Sequence, residues 1–389
     1  MDRLTYAEWG GGEYRDFLRV FSDESALRSV AMLEDRLAAL YAPSRIFLVN
    51  RGRFGLEIAL RVFAGLRPAA REVLYPGYIC DSVIAAIKRC GLIPRPIDVT
   101  VDLNIDPSLV KAALSEQTLA VIAAHMYACP AEVDSLEKIC RDRGVFLLDD
   151  AAQAGGVRAG KRLLGTYGDA GVLSFSQSKT LVAGGINAGG ALVINNPALI
   201  DRVEMLWREL PPGHYSWSDR WQFLRDSIWE PYLGGLHYYW TQFRRRCFST
   251  SVPELSCPAT RIAPTSSAVV IHQLDRLDQR MAGRVRVARL YHEELSSVLN
   301  VLFPQYQPDR YLARILLMMP EKVSIPALRL ALMQQGVQTR RSYQIHETPG
   351  AALPNASFAS QHYLELPSHS HMSRDTVRSI VERLSKCLN

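Results

Sequence analysis

Short apolar runs alternating with amphipathic segments fill residues 45–196, and this alternation constrains the fold more than any other feature of the chain. RIFLV (45–49), EVLYPGYIC (72–80, a strand with its turn), IPRPIDV (93–99), LAVIAAHMY (119–127), Val145–Leu148, Gly171–Phe175 and ALVINN (191–196) are too short for helices and end in polar or turn residues. Each reads as a buried strand. Between them Phe54–Gly65, a segment opened by Asp81 or Ser82 and running to Cys90, Pro107–Leu114 and residues 132–143 read as helices. Strands alternating with helices predict an α/β fold with a mostly parallel, mixed sheet and helices on both faces. In such sheets ligands gather at the carboxyl ends of the strands, which places the Asn50 turn, His125 and Asp150 along one edge.

The flanks divide the chain further. Residues 1–20 read as an irregular arm, and Ser22 or Asp23 caps a helix through Tyr41 with Ala26, Val30, Leu33, Leu37 and Leu40 on one face. A large domain is expected over 21–260. Its last part, 201–260, holds Trp207, Trp217, Trp221, Trp229 and Trp240 with the run Arg244-Arg245-Arg246, and reads as packing within the fold or against a partner subunit, or as contact with a bulky or lipid-linked substrate or a membrane surface. One long helix is expected over 266–295. It links to a smaller C-terminal α/β unit, so that 261–389 forms the second domain.

Composition narrows the class. Of 389 residues 48% are hydrophobic and 22% charged, the balance of a globular protein. A net charge of +6 is too small at this length to call for a nucleic-acid polymer. The seven cysteines are scattered without a C-x-x-C, which argues against a disulfide framework or a metal site. MDRLTYAEWGGGEYRDF has no apolar core of the signal-peptide kind, and no apolar run is long enough to span a bilayer. A cytoplasmic protein without membrane contact is expected.

The candidate chemistry lies in Val145–Gly190. The first apolar run delivers Asp149 and Asp150; the second delivers Ser174 and then Lys179, with a glycine-rich loop following. A lysine in the small neutral run after a buried strand is either a solvated loop residue or a desolvated amine able to form a Schiff base. Either aspartate could cap a turn, and either could enter the site, where a buried carboxylate needs a cation such as a protonated pyridine nitrogen. Gln153 and Ser174 offer neutral hydrogen bonds. The turn Asn50-Arg51-Gly52-Arg53 before a helix is a plain turn or an anion cradle.

Taken together these residues resemble the fold-type-I, pyridoxal-phosphate-dependent sugar aminotransferases of the DegT/StrS group. Asp150-Ala151-Ala152-Gln153-Ala154 is similar to that family's D-A-A-Q/H segment. Gly165-Thr166-Tyr167-Gly168-Asp169 with Ser174-Phe175 and Lys179 is similar to its G-x-x-G-D and S-F-x-x-x-K signature. His125-Met126-Tyr127 with Pro130-Ala131, Gln273-Leu274, Arg276-Leu277 and Leu366-Pro367-Ser368-His369 also fit. The resemblance implies pyridoxal 5'-phosphate as cofactor, with Lys179 as the amine that holds it and later shuttles the proton. It implies that Asp150 pairs with the pyridine nitrogen and Gln153 contacts the ring side or 3-oxygen. Ser174 and the turn Gly52-Arg53-Phe54 would bind the phosphate. His125, Arg340 and Arg341 are expected on the substrate side. A keto-sugar, nucleotide-linked, an amino donor such as glutamate, and a homodimer with shared active sites complete the expectation.

The chain also departs from the pattern. Gly52-Arg53 stands where the family has Gly-Thr. An ungapped match puts Cys80 where an aromatic residue stacks on the cofactor, with Tyr78 two residues before. Arg261 fits an arginine of the family's Asn-x-Arg, but Ala259 replaces the asparagine. These changes gather on the substrate side, which keeps two alternatives open: a pyridoxal-phosphate enzyme acting on a non-sugar or lipid-linked ketone, and a non-catalytic cofactor-binding regulator.

Overall fold

The structure is a computed structural model that describes residues 26–176, 179–183, 188–214, 258–296, 301–341, 343, 345 and 351–388. The arm, the cap at Ser22 or Asp23 and most of the aromatic segment, 215–257, lie outside these residues.

In chain order α1 (Ala26–Leu40) leads to β1 (Arg45–Val49), α2 (Gly52–Leu66), β2 (Glu72–Pro76), α3 (Asp81–Arg89), β3 (Ile93–Ile97), α4 (Pro107–Ala113), β4 (Thr118–Ala124), α5 (Val133–Asp142) and β5 (Phe146–Asp150). A small hairpin, β6 (Arg158–Ala159) and β7 (Arg162–Leu163), precedes β8 (Ala170–Ser174), β9 (Gly190–Ile194) and α6 (Ile200–Arg208). The seven-stranded sheet has the order β1-β9-β8-β5-β4-β2-β3. Only β9 runs against its neighbours, antiparallel to both β1 and β8. The other six strands point one way, so the carboxyl ends of β1, β8, β5, β4 and β2 share an edge.

Alternation along the strands sorts two cores. Ile46, Leu48, Val121, Ala123, Leu147 and Leu173 face Leu33 and Leu37 of α1 and Leu136 of α5. Phe47, Val49, Ala120, Ile122, Leu148 and Val172 face Leu56, Leu60 and Phe63 of α2 and Val83 of α3. Because both faces are covered, β4 is buried along its whole length, which is why its sequence is continuously apolar from Leu119 to Ala124.

The helix expected over 266–295 is two helices, α7 (Pro264–Leu274) and α8 (Leu277–Leu295), separated by Arg276 at φ −116°, ψ 12°. Val269, Val270 and Ile271 of α7 pack on the large sheet, as does Leu277 at the start of α8, whereas Val287, Tyr291 and Leu295 farther along α8 join a third cluster. That cluster surrounds β10 (Ile315–Met318), α9 (Ile325–Gln334), β11 (Arg340–Arg341), α10 (Pro354–His362), β12 (Tyr363–Leu366) and α11 (Arg374–Leu388), with the antiparallel order β10-β12-β11. Within this unit α10 turns back to the large sheet: Ala356 and Ala359 join the α2-side core. Asp98, just past β3, accepts the N–H groups of Asn355 at 3.0 Å and Ala356 at 2.9 Å, capping α10 from the other core.

Candidate active site

Strand alternation points the last two residues of β5 to opposite faces. Asp149 turns to the α1 side and is fully buried. Its Oδ2 accepts the N–H groups of Gly165 (2.6 Å) and Tyr167 (3.0 Å), and its Oδ1 lies 2.5 Å from Nε2 of His125. Nδ1 of His125 accepts the Ala131 N–H at 3.0 Å, so the ring proton sits on Nε2 and is donated to Asp149. Gly168 must be glycine: its φ is +62°, and a Cβ there would lie 2.5 Å from that of Leu147. Asp169 completes the turn by accepting the Leu147 N–H at 2.9 Å. The G-x-x-G-D segment and His125 therefore form one buried scaffold that aligns the ends of β4, β5 and β8.

Asp150 turns to the α2 side and is half-buried. Burial pushes its pKa above the usual carboxylate range; the Ala152 N–H, donated to Oδ1 at 3.0 Å, and the Lys179 charge act against that rise. A carboxyl in this setting is stabilised as an anion by a cation before it. Lys179 follows β8 on a loop that Phe175 closes, with Phe175 N–H donated to Gly189 O at 3.0 Å and Ala183 N–H donated to Phe175 O at 2.7 Å. Thr180 Oγ1 donates to Gln153 O at 3.0 Å, which fastens the residue after the lysine to the segment after Asp150.

The start of α2 comes to the same side. Its cap residue Arg51 makes no side-chain bond to the helix, so the first turn presents N–H groups and the positive end of the helix dipole. A Cβ on Gly52 would lie 2.8 Å from Leu173 O and 3.2 Å from the Ser174 Cβ, so only glycine lets the helix end approach β8 this closely. Ser174, two residues after Val172, points to the same face, the α2 side; its Oγ is 3.2 Å from that of Ser176. Arg53 lies over the ring of Phe54, 4.9 Å from its centroid.

Three expected site residues are corrected. His125 does not face a substrate: it is buried, and both ring nitrogens are engaged in the scaffold. Tyr78 is fully buried, with its hydroxyl 3.1 Å from that of Tyr127 and its ring against Tyr343, so it is not the ring-stacking residue at the edge. Cys80 is half-buried and caps the start of α3. Phe54 offers no N–H to a phosphate, since it donates to Arg51 O at 3.0 Å while its ring is in the core. The backbones of Arg340 and Arg341 pair with Glu365 and Leu364 on the small sheet, and their side chains lie outside the described residues. Arg261 stacks on Trp207 and donates to Leu210 O at 3.2 Å. Sequence reasoning missed Gln273 as a site residue, although Gln273-Leu274 was among the matching segments. Its buried amide bonds Val182 in the Lys179 loop.

This is the architecture of the fold-type-I pyridoxal-phosphate transferases. The chain belongs to the DegT/DnrJ/EryC1/StrS aminotransferase family, whose model matches residues 25–385. It is 27% identical over 362 residues to the erythromycin biosynthesis sensory transduction protein EryC1 of Saccharopolyspora erythraea, covering 90% of this chain and 88% of that one. It is 23% identical to the GDP-perosamine synthase of Vibrio cholerae, covering 97% of each chain. Among solved structures it is similar in fold to Helicobacter pylori PseC, an aminotransferase involved in the biosynthesis of pseudoaminic acid, with a TM-score of 0.77 at 17% identity, covering 97% of this chain and 96% of that one. Pyridoxal 5'-phosphate is the cofactor of this family, and the residues present fit it. The Gly52 cradle beside Ser174 suits a phosphate, the half-buried Asp150 suits a protonated ring nitrogen, and Lys179 suits an aldehyde.

Proposed function

We propose that this aminotransferase moves an amino group from an amino-acid donor, glutamate first, to a keto carbon of a nucleotide-linked sugar in amino-sugar biosynthesis. The split between the two aspartates carries the reading: Asp149 is closed by three hydrogen bonds, while Asp150 lies within electrostatic reach of Lys179. The sugar-nucleotide substrate is supported by the relative named for GDP-perosamine.

The cofactor, when bound, supplies an electron sink for the carbon that loses its proton. The chain's own residues bind, orient and move protons. Nζ of Lys179 would hold the aldehyde carbon and would move the proton at the reacting carbons. The carboxylate of Asp150 would hold the proton of the pyridine nitrogen, a cation that offsets the cost of the carboxylate's burial. The first N–H groups of α2 and the Ser174 hydroxyl receive the phosphate, and Arg53 adds positive charge. Gln153 is assigned to the 3-oxygen side and Cys80 to the ring face. Arg340 and Arg341 are assigned to anionic groups of the substrate. A cytoplasmic homodimer with shared sites belongs to the same reading, supported by the family resemblance; light scattering should give twice the chain mass. Among the described residues no helix is long and apolar enough to cross a membrane.

The test is direct. The purified protein should show a visible absorption band that borohydride bleaches, and should release 2-oxoglutarate from glutamate with at least one of a panel of nucleotide keto-sugars. Turnover only on non-sugar ketones would replace the substrate class, and absence of the band would remove the cofactor assignment.

A further inference from the structure

A buried amide must have its donors and acceptor met. Gln273 is 2% exposed, and both ends of its amide go to one residue of the lysine loop. Oε1 accepts the Val182 N–H at 2.7 Å, and Nε2 donates to Val182 O. The side chain thus makes to Val182 the pair of bonds that a neighbouring strand would make. Arg280 fixes which way round the amide sits, since its Nη1 donates to Oε1 at 2.8 Å. A guanidinium can only donate, so the oxygen must face it; a flipped amide would set donor against donor at both Arg280 and Val182.

Val182 is itself buried, so its backbone groups have little water to turn to if the amide is lost. Among the described residues the loop is also anchored by the Thr180 hydroxyl on Gln153 O and the Ala183 N–H on Phe175 O. Lys179 leaves the chain one residue before the first of these. Its position relative to Asp150 is therefore set by bonds that other elements make to the loop, and the two-point bond from α7 comes from the segment farthest away in sequence.

We propose that Gln273 is a positioning residue for Lys179: its two-point bond to Val182, oriented by Arg280, holds the loop where the lysine amine meets both Asp150 and the cofactor aldehyde. The inference rests on the reading of Lys179 as the cofactor-bearing lysine. It separates Gln273 from a residue that merely stabilises the fold, because a positioning role must alter the reactivity of Lys179 in protein that is still folded.

The experiment follows the capture of added pyridoxal 5'-phosphate by cofactor-free protein, as borohydride-trapped mass on Lys179 against time and pH, alongside the melting temperature. Gln273→Leu should slow capture by about 10- to 100-fold, the scale of a small misplacement of a reacting group, and should shift the midpoint of the pH–rate profile. Gln273→Glu still accepts from Val182 N–H and Arg280 but cannot donate to Val182 O, and should fall between Gln273→Leu and the wild type. Arg280→Met keeps the amide but frees it to flip, and should slow capture less than Gln273→Leu. Wild-type capture rates and pH profiles in Gln273→Leu and Gln273→Glu overturn the proposal, whatever the melting temperatures. If Gln273→Leu does not fold, Gln273→Glu and Arg280→Met decide, and unaltered capture in both overturns it. If the wild-type chain takes up no reducible adduct at Lys179, the functional reading falls and the inference with it; normal wild-type capture with unaffected variants sinks the inference alone.

Discussion

Asp149 and Asp150 are chemically identical neighbours at the end of one strand, yet they belong to regions of opposite character. On the α1 side, Asp149, His125, Ala131 and the Gly165–Tyr167 turn form a closed network in which donors and acceptors meet within the protein. On the α2 side lie the groups that the proposed function assigns to the cofactor: Asp150, its carboxyl raised by burial and within electrostatic reach of Lys179, and Ser174 beside the start of α2, which has no side-chain cap. The closed region holds the geometry, and the open region uses it. A satisfied buried network is rigid and costly to break, whereas a carboxylate awaiting a cation is poised for binding and costly to leave empty.

The largest effect expected is at Lys179. Lys179→Ala should abolish the borohydride-reducible adduct and lower amino transfer by more than about 10⁴-fold, the upper range of general acid–base catalysis; a retained adduct would move the open region elsewhere. The pair Asp150→Asn and Asp149→Asn tests the contrast itself. Asp150→Asn should lower turnover about 10²- to 10³-fold, the scale of a removed electrostatic partner, with melting little changed. Asp149→Asn must turn its amide N–H groups toward either the Gly165 and Tyr167 N–H groups or the Nε2–H of His125. It should cost about 2–4 kcal/mol in chemical denaturation. Interchanged phenotypes would invert the assignment of the two faces.

Gly52→Ala probes the boundary between the regions. Its Cβ would meet Leu173 O at 2.8 Å and push the helix end from Ser174, weakening cofactor affinity about tenfold, or ~1.4 kcal/mol; titration calorimetry on cofactor-free protein reads it. The smallest effect concerns pH. Since folding raises the Asp150 pKa, the folded state binds a proton that the unfolded state has already lost once pH exceeds the ordinary carboxylate range. Stability of the cofactor-free protein should therefore fall as pH rises through that window, up to the raised pKa. Asp150→Asn should flatten this slope in urea titrations, and an unchanged slope would remove Asp150 as its source.

Much of the large sheet was legible because strand runs are local signals. Burial on both faces leaves an unbroken apolar run such as LAVIAA (119–124), and the carboxyl-edge rule then places Asp150 and the Gly52 turn together. The scaffold was legible only as a motif. That Asp149 receives two N–H groups from the G-x-x-G-D turn depends on contacts 16 and 18 residues apart in sequence, to which spacing alone assigns no partner. Tyr78 illustrates the same limit. Its aromatic ring fits a stacking role by type, but Tyr127 and Tyr343, from distant parts of the chain, draw it inward. The helical period through 266–295 runs on across Arg276, and the sequence marks neither the break there nor the passage of α8 from the large-sheet core at Leu277 to the third cluster at Val287.

The sequence by itself determined the alternating α/β order, the groups available for chemistry and the turn at Gly52, because strand length, side-chain alternation and backbone freedom are properties of a few consecutive residues. It could name two aspartates but not separate them by local pattern, since both end the same strand. The folded chain separated them through partners supplied from elsewhere: His125 and the Gly165 turn closed one, and the lysine loop, held by Gln273 from a distant helix, was brought to the other. Those choices depend on hydrogen bonds and burial between segments far apart in sequence, which exist only once the sheet has assembled and both its faces are covered.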